Sequence, residues 1–334
     1  MRRHILEEAD CQMGKEVINK IGFLLFFLAF STVLIVNACS NNAAQLESQE
    51  NATFAPPVET KVVEDALGQV EVPLHPQRVV VLDDHTFLDP VLALGIKPVG
   101  IVSCAPICLE PFRGIPNELV ADIPDVGMNV MEPSLEKIFS LNPDLILANE
   151  GNEKIYEQLS AIAPTVLTDY HSVMNFKERL QYFAQILGKE NRAGTLLAQY
   201  EDRIQQLQQQ LGAKLETVTV STLYFHDSQI FVASLDALTH HQIVSDVGLQ
   251  FTQSHKNLKT PWASFSIEAL PDYDADYLFL ITSDESLSFL DQPVWSTLKA
   301  VQNNQAYAVK WDVGGPIGAN RVIDDLYKYL VGDP

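Results

Sequence analysis

Basic residues are scarce in this chain. Its 334 residues carry 22 lysines and arginines against 43 aspartates and glutamates, a formal net charge of −21. A surface that acidic repels a phosphate backbone, which argues against nucleic acid as a partner. Cysteine is also scarce: the four thiols, Cys11, Cys39, Cys104 and Cys108, are too scattered for a disulfide scaffold. The chain has no long membrane-spanning run. Its main apolar stretch, residues 21–36, has 16 residues, whereas a spanning helix needs about 20. Signature motifs of common enzymes are missing too. There is no Gly-x-Ser-x-Gly elbow, no phosphate-binding P-loop and no His-Glu-x-x-His helix. The chain is therefore expected not to be an enzyme and to need no cofactor.

The apolar stretch has a different use. Lys15 and Lys20 precede it, and small or polar residues follow it. A basic entry, an apolar middle and a small-residue exit make a secretory signal. The exit, Val36-Asn37-Ala38-Cys39, resembles a bacterial lipobox. On that reading, residues 1–38 are a lipoprotein signal peptide, with Met1 or Met13 as the start. Cleavage leaves Cys39 as the lipidated N-terminus, and more than one acyl chain there gives stable anchoring. Residues 39–58 are polar with a Pro-Pro pair, the composition of a flexible tether. The expected place is the cell membrane, lipid-anchored, facing the periplasm or cell exterior.

Beyond the tether, β-rich runs alternate with helical patterns, the grammar of parallel βαβ units. Val62–Val72 reads as a hairpin. Arg78–Asp83, Pro98–Ser103, Asp144–Asn149 and Thr165–Tyr170 read as buried strands, with helices between them. Glu190–Leu211 reads as one helix of 22 residues, roughly 33 Å long at about 1.5 Å per residue. The second half reads similarly, with strands over Thr217–Phe225, Gln229–Ala233, Tyr277–Thr282 and Ala306–Trp311. Helices are expected over Leu235–Val247, Pro293–Ala300 and Ile317–Leu330. Each half holds a Ser-aliphatic-Glu phrase followed by an aspartate that opens a strand. Glu136 precedes Asp144 by the same eight residues as Glu268 precedes Asp276. This correspondence argues for two related lobes: 59–189 and 213–334, joined by a helix at 190–212.

Several phrases in this order resemble the periplasmic binding proteins for iron–siderophore and cobalamin uptake. They are Pro76–Asp83, Ala93–Gly100, Asp125-Val-Gly127, Pro133–Ile138, Asn142–Leu147 and Gly315–Asn320 with Asp324-Asp325-Leu326. Within that family the likeness is nearest to the iron(III) dicitrate and hydroxamate-siderophore group, and it runs from about Val62 to Leu330. The resemblance implies an α/β fold of two Rossmann-like lobes joined by a single long helix, with the ligand cleft between them. It implies a monomer that captures a ferric siderophore and delivers it to an ABC permease dimer with its ATPase subunits. It also implies that Glu136 and Glu268, one on each lobe's outer tip, dock on the permease, where charge pairs set orientation.

Cleft residues are expected in loops at the strand C-termini. A ferric chelate asks for cationic side chains and aromatic rings. The candidates are Arg113, Trp311, Tyr224, His85, His171 and His226 at strand ends, with Trp262 before the second Ser-aliphatic-Glu phrase and Arg321 early in the closing helix. No residue is expected to bind metal directly. Cys104 and Cys108, exported to an oxidising space, would form either a local disulfide or a free pair. Alternative ligands are haem, a corrinoid, or bare zinc or manganese held by histidines.

Overall fold

The computed structural model describes residues 59–104, 112–127, 132–169, 175–226, 229–282 and 288–332. The expected signal peptide, Cys39 and the tether lie outside the described residues. So do Cys108 and His171.

The chain opens with the expected hairpin. β1 (Thr60–Asp65) pairs antiparallel with β2 (Gly68–Pro73). Gly68 takes the turn with a φ of 135°, a value that a side chain would resist.

Five short strands then build the first sheet: β3 (Val79–Val81), β4 (Gly100–Val102), β5 (Asp125–Gly127), β6 (Leu145–Asn149) and β7 (Thr165–Thr168). Their order is β5-β4-β3-β6-β7, and every pairing is parallel. Strands buried on both faces read as continuous apolar runs. Side chains alternate between faces, so Val79, Val81, Leu145 and Leu147 enter one core cluster, while Val80 and Ile146 enter the other. β5 went unmarked in the sequence because three residues carry too little periodicity.

The second sheet comprises β8 (Thr219–His226), β9 (Gln229–Ala233), β10 (Gln250–Phe251), β11 (Trp262–Phe265), β12 (Tyr277–Ile281) and β13 (Ala306–Val309). Its order is β11-β9-β8-β12-β13, with β10 also on β8. β12 pairs parallel with β8 and β13, but β9 pairs antiparallel with both β8 and β11. The second half is thus not a copy of the first. The two-residue gap between β8 and β9 permits only a hairpin, and the resulting antiparallel edge puts Trp262 on a strand.

Six helices matter for the site: α1 (Leu88–Ala93), α2 (Leu135–Ser140), α3 (Phe176–Leu187), α4 (Glu190–Leu211), α5 (Thr239–Val247) and α6 (Pro316–Leu326). α4 keeps the length expected of it. Ala193, Leu196 and Leu197 pack on the first lobe's core, while Tyr200, Ile204, Leu207 and Leu211 pack on the second's. One rigid element therefore belongs to both cores. Between β6 and β7 the expected helix begins instead as a 3-10 turn, Glu150–Ile155, before Tyr156–Ser160. The one at Pro293–Ala300 splits into Trp295–Thr297 and Lys299–Gln302. α6 ends at Leu326 and passes into a π-turn, Tyr327–Val331.

The lobes also touch directly at the N-terminus of α6. Buried Asp89 on α1 accepts from the Ile317 and Gly318 N–H groups, both at 2.9 Å. These are first-turn donors with no partner inside the helix. Arg179 on α3 donates from Nε and Nη2 to the Gly314 carbonyl at 3.1 and 2.8 Å. Gly314 lies so close to the first lobe that a Cβ would stand 2.0 Å from the His85 carbonyl oxygen. Gly314→Ala must therefore push the lobes apart. We expect a loss of about 3 kcal/mol or more in urea denaturation, with ligand affinity falling in parallel. Unchanged stability would mean that the contact relaxes freely.

Candidate functional site

Between the lobes lies a cavity of about 500 Å³. The first lobe contributes His85 and Thr86 after β3, Arg113 from the loop after β4, and Arg179 from α3. The second contributes Tyr224 at the end of β8, His240 on α5, Trp262 on β11, and Trp311 and Asp312 after β13. Most of these positions follow strand C-termini, where an α/β sheet opens its crevice.

Five of the eight expected ligand residues line this cavity: Arg113, Trp262, Trp311, Tyr224 and His85. Arg321 does not. On α6 its neighbours Val322, Ile323 and Leu326 fill the buried face, and the Arg321 guanidinium turns away to the Lys310 carbonyl at 3.5 Å. His226 ends β8. Cys104 is disulfide-bonded.

Arg113 is not an isolated cation. Its Nε and Nη2 donate to the two oxygens of Asp84, each at 2.7 Å, a bidentate pair. Burial works to raise the Asp84 carboxyl, but the hydrogen bonds from Arg113 and His85 outweigh it and hold it well below the usual carboxylate range. Burial likewise works to lower Arg113, and Asp84 overcomes it in the opposite direction. Asp84 thus fixes the guanidinium plane at the cavity wall and leaves other N–H bonds for a ligand.

Asp83, Asp84 and His85 bring three potential metal-ligand atoms within 4.8 Å of one another. Both aspartates already hold other partners. Asp84 holds Arg113, and Asp83 Oδ1 accepts from the His85 and Phe87 N–H groups at 3.1 and 2.9 Å. The cluster shapes the turn into α1.

The opposite wall is aromatic. Trp262 is 47% exposed and meets Tyr224 edge-on at 5.1 Å. Trp311 is 1% exposed, and its Nε1–H donates to Asp325 Oδ2 at 2.8 Å. It forms a packed floor, whereas Trp262 offers a ring to the cavity.

Sequence reasoning missed Arg179, His240 and Asp312. A signal for Arg179 was present. Phe176, Leu180, Phe183 and Leu187 form the buried stripe of α3, and Arg179 sits in that stripe at 5% exposure. A charged residue in an apolar stripe slot points to a buried partner.

Behind the aromatic wall lie three buried imidazoles. Their tautomers follow from their partners, since a carbonyl can only accept. His241 Nδ1–H donates to the Ser234 carbonyl at 2.9 Å, so its Nε2 accepts from the Thr222 hydroxyl at 2.7 Å. His255 Nε2–H donates to the Thr222 carbonyl at 3.1 Å, and its Nδ1 accepts from Thr252 at 2.8 Å. Burial lowers His241 and His255 to about 4 each, and pushes His240 well below its ordinary value.

The geometry is that of a two-lobed binding protein with a cleft. Residues 81–312 match the description of the Periplasmic binding protein family. The chain belongs to that family, whose members are in general binding proteins and not enzymes. It is 30% identical to the probable siderophore-binding lipoprotein YfiY of Bacillus subtilis, over 92% of this chain and 97% of YfiY. It is 29% identical to the iron(3+)-hydroxamate-binding protein FhuD of the same organism, over 87% of this chain and 90% of that protein. Among solved structures, Staphylococcus aureus SirA complexed with staphyloferrin B is 31% identical with a TM-score of 0.66. That match covers 81% of this chain and 98% of SirA. No helix among the described residues is long and apolar enough to cross a membrane.

The histidine cluster has a consequence in acid. The folded values of His241 and His255, about 4, lie below the unfolded value of 6.5. Between those pH values the unfolded chain binds more protons, so stability falls as pH drops. Asp89 and Asp325, both raised chiefly by burial, oppose this trend at the acid end. Denaturation at pH 7 and pH 5 should differ by a few kcal/mol in favour of pH 7. A flat profile across that window would contradict the buried neutral assignment.

Proposed function

We propose that this chain is the substrate-binding lipoprotein of an ABC importer and that it captures a ferric siderophore in the interlobe cavity. One observation carries the reading: a paired, oriented guanidinium on one wall faces an exposed tryptophan and a tyrosine on the other, in a cleft of about 500 Å³. A guanidinium suits the oxygen-rich surface of a ferric chelate, and aromatic rings suit its organic body. The names of YfiY, FhuD and SirA's bound ligand support the same class. Arg113, Trp262, Tyr224 and His85 are the ligand contacts, backed by Arg179 and His240 in the cavity lining.

Cys39 carries the lipid anchor at the cell membrane, and residues 39–58 tether the lobes to it. Glu136, in the first turn of α2, and Glu268, in the 3-10 turn Ile267–Tyr273, dock on the permease. Both are exposed. At Glu268, hydrogen bonding from Ser266 holds the carboxyl below its ordinary value, so it stays charged at neutral pH.

The test titrates the full chain in detergent with ferric hydroxamate, citrate and catecholate chelates, haem, cobalamin and free metal ions, read by tryptophan fluorescence. Two of the three tryptophans, Trp262 and Trp311, line the cavity. Saturable submicromolar quenching by a ferric chelate is the expected result. Quenching by free zinc or manganese alone would sink it.

The docking glutamates make a separate prediction. Glu136→Ala and Glu268→Ala should each leave chelate affinity within twofold and lower cellular iron uptake about tenfold or more, consistent with 1–3 kcal/mol for an interfacial charge pair. Loss of affinity in either variant would place that glutamate in the cleft instead.

A further inference from the structure

The cavity holds more fixed negative charge than positive. Among the described residues, Arg113 and Arg179 are its two cationic lining residues, and each already has a carboxylate. Asp84 takes the Arg113 Nε and Nη2 groups at 2.7 Å each. Asp89 meets Arg179 at one backbone stretch. Arg179 donates to the Gly314 carbonyl, while a Cβ on Gly314 would stand 3.1 Å from the Asp89 Cβ, and one on Gly315 would stand 2.7 Å from Asp89 Oδ1. Both Asp89 oxygens accept backbone N–H groups, as a carboxylate does.

Two further carboxylates belong to the same cavity. Asp83 lies in the cluster with Asp84 and His85, and its Oδ1 accepts from backbone N–H groups. Asp312 lines the cavity and is exposed. Close packing places it. A Cβ on Gly114, the neighbour of Arg113, would stand 2.0 Å from the Asp312 carbonyl oxygen and 3.4 Å from its Cβ. Asp312 therefore sits against the Arg113 loop from the opposite lobe, and its charge acts on the guanidinium. The Arg113 fork is nonetheless taken by Asp84. Among the described residues no ion pair or hydrogen bond engages the Asp312 carboxylate. Two guanidiniums thus stand with four carboxylates, in a chain whose net charge is −21. A field of that sign, focused in a cleft, repels an approaching anion.

We propose that the cleft selects ferric chelates by net charge, accepting a neutral or cationic complex and rejecting a polyanionic one, with Asp312 as the residue that sets the preference. The inference rests on the ferric-chelate reading and narrows it. Three hydroxamates cancel the charge of ferric iron, and the remaining Arg113 N–H groups can donate to their oxygens without any net charge on the complex. A pendant ammonium on such a complex pairs with Asp312. Catecholates and citrates overcompensate the iron and leave an anion, for which the cavity has no uncommitted cation.

The experiment varies charge on one scaffold, using the detergent-solubilised full chain at pH 8 and tryptophan fluorescence. Ferric desferrioxamine B carries a pendant ammonium, its N-acetyl form is neutral, and its N-succinyl form carries a pendant carboxylate. Ferrichrome, ferric dicitrate and the ferric tris-catecholate of 2,3-dihydroxybenzoate complete the set. Affinity should fall by about tenfold from the ammonium form to the carboxylate form. That gap should narrow when salt is raised from about 0.1 M to about 1 M. In Asp312→Asn, which keeps the side chain's size, it should fall to about threefold or less. A carboxylate form that binds as well as the ammonium form overturns the inference, as does a gap undiminished in Asp312→Asn. Tightest binding by ferric dicitrate or the tris-catecholate also overturns it, while leaving the ferric-chelate reading intact. Silence from every probe overturns both. Should Asp312→Asn fail to fold, the wild-type gap and its salt dependence decide.

Discussion

The site depends on a backbone contact. Gly314 has no side chain, and the His85 carbonyl occupies the place where one would be. Around that contact, Asp89 and Arg179 from the first lobe bond the backbone at the start of α6 in the second. Burying a carboxylate is costly unless it is paired, and two helix N–H groups with a nearby guanidinium provide that pairing. The lobes are thereby held at a distance at which Arg113 on one wall and Tyr224 on the other face a single cavity. α4, packed into both cores, resists hinge motion at the back of the same joint.

This construction also leaves each cavity wall braced by its own lobe. Each wall is braced by side chains packed against the residues that face the cavity. Asp84 orients the Arg113 guanidinium on the first lobe. On the second, the His240 ring holds the Tyr224 hydroxyl at 3.0 Å, and His241 packs edge-on against His240. The groups facing the ligand are then pre-set, and binding spends little free energy on ordering them. Burial of neutral imidazoles carries a liability in acid, since each must remain unprotonated to keep its place.

Much of this was legible in the chain, for identifiable reasons. Continuous apolar runs such as Val79–Val81 and Leu145–Leu147 declare strands buried on both faces. The Gly-free, Pro-free stretch after Gly194 declares a long helix, and α4 spans the residues expected of it. Arg113, Tyr224, Trp311 and His85 could be named because loops after strands form the crevice of an α/β sheet, and Trp262 because it is an aromatic just before the second Ser-aliphatic-Glu phrase. Arg321 failed that logic because a helix has faces, and the one bearing Arg321 is not turned to the cleft. Nothing in the local sequence marks Asp84 as part of the site. That it neutralises Arg113 depends on a contact across 29 residues that no local pattern encodes.

The sequence alone determined the secondary grammar, the bilobal α/β plan and most of the residue types at the cleft, because periodicity and strand-end position are local properties. Tertiary structure decided the antiparallel edge that carries Trp262, the pin at Gly314, and the entry of Arg179 and His240 into the site. Those outcomes turn on which hydrogen-bond partner lies within about 3 Å, and residues far apart in the chain come that close only when both cores have packed.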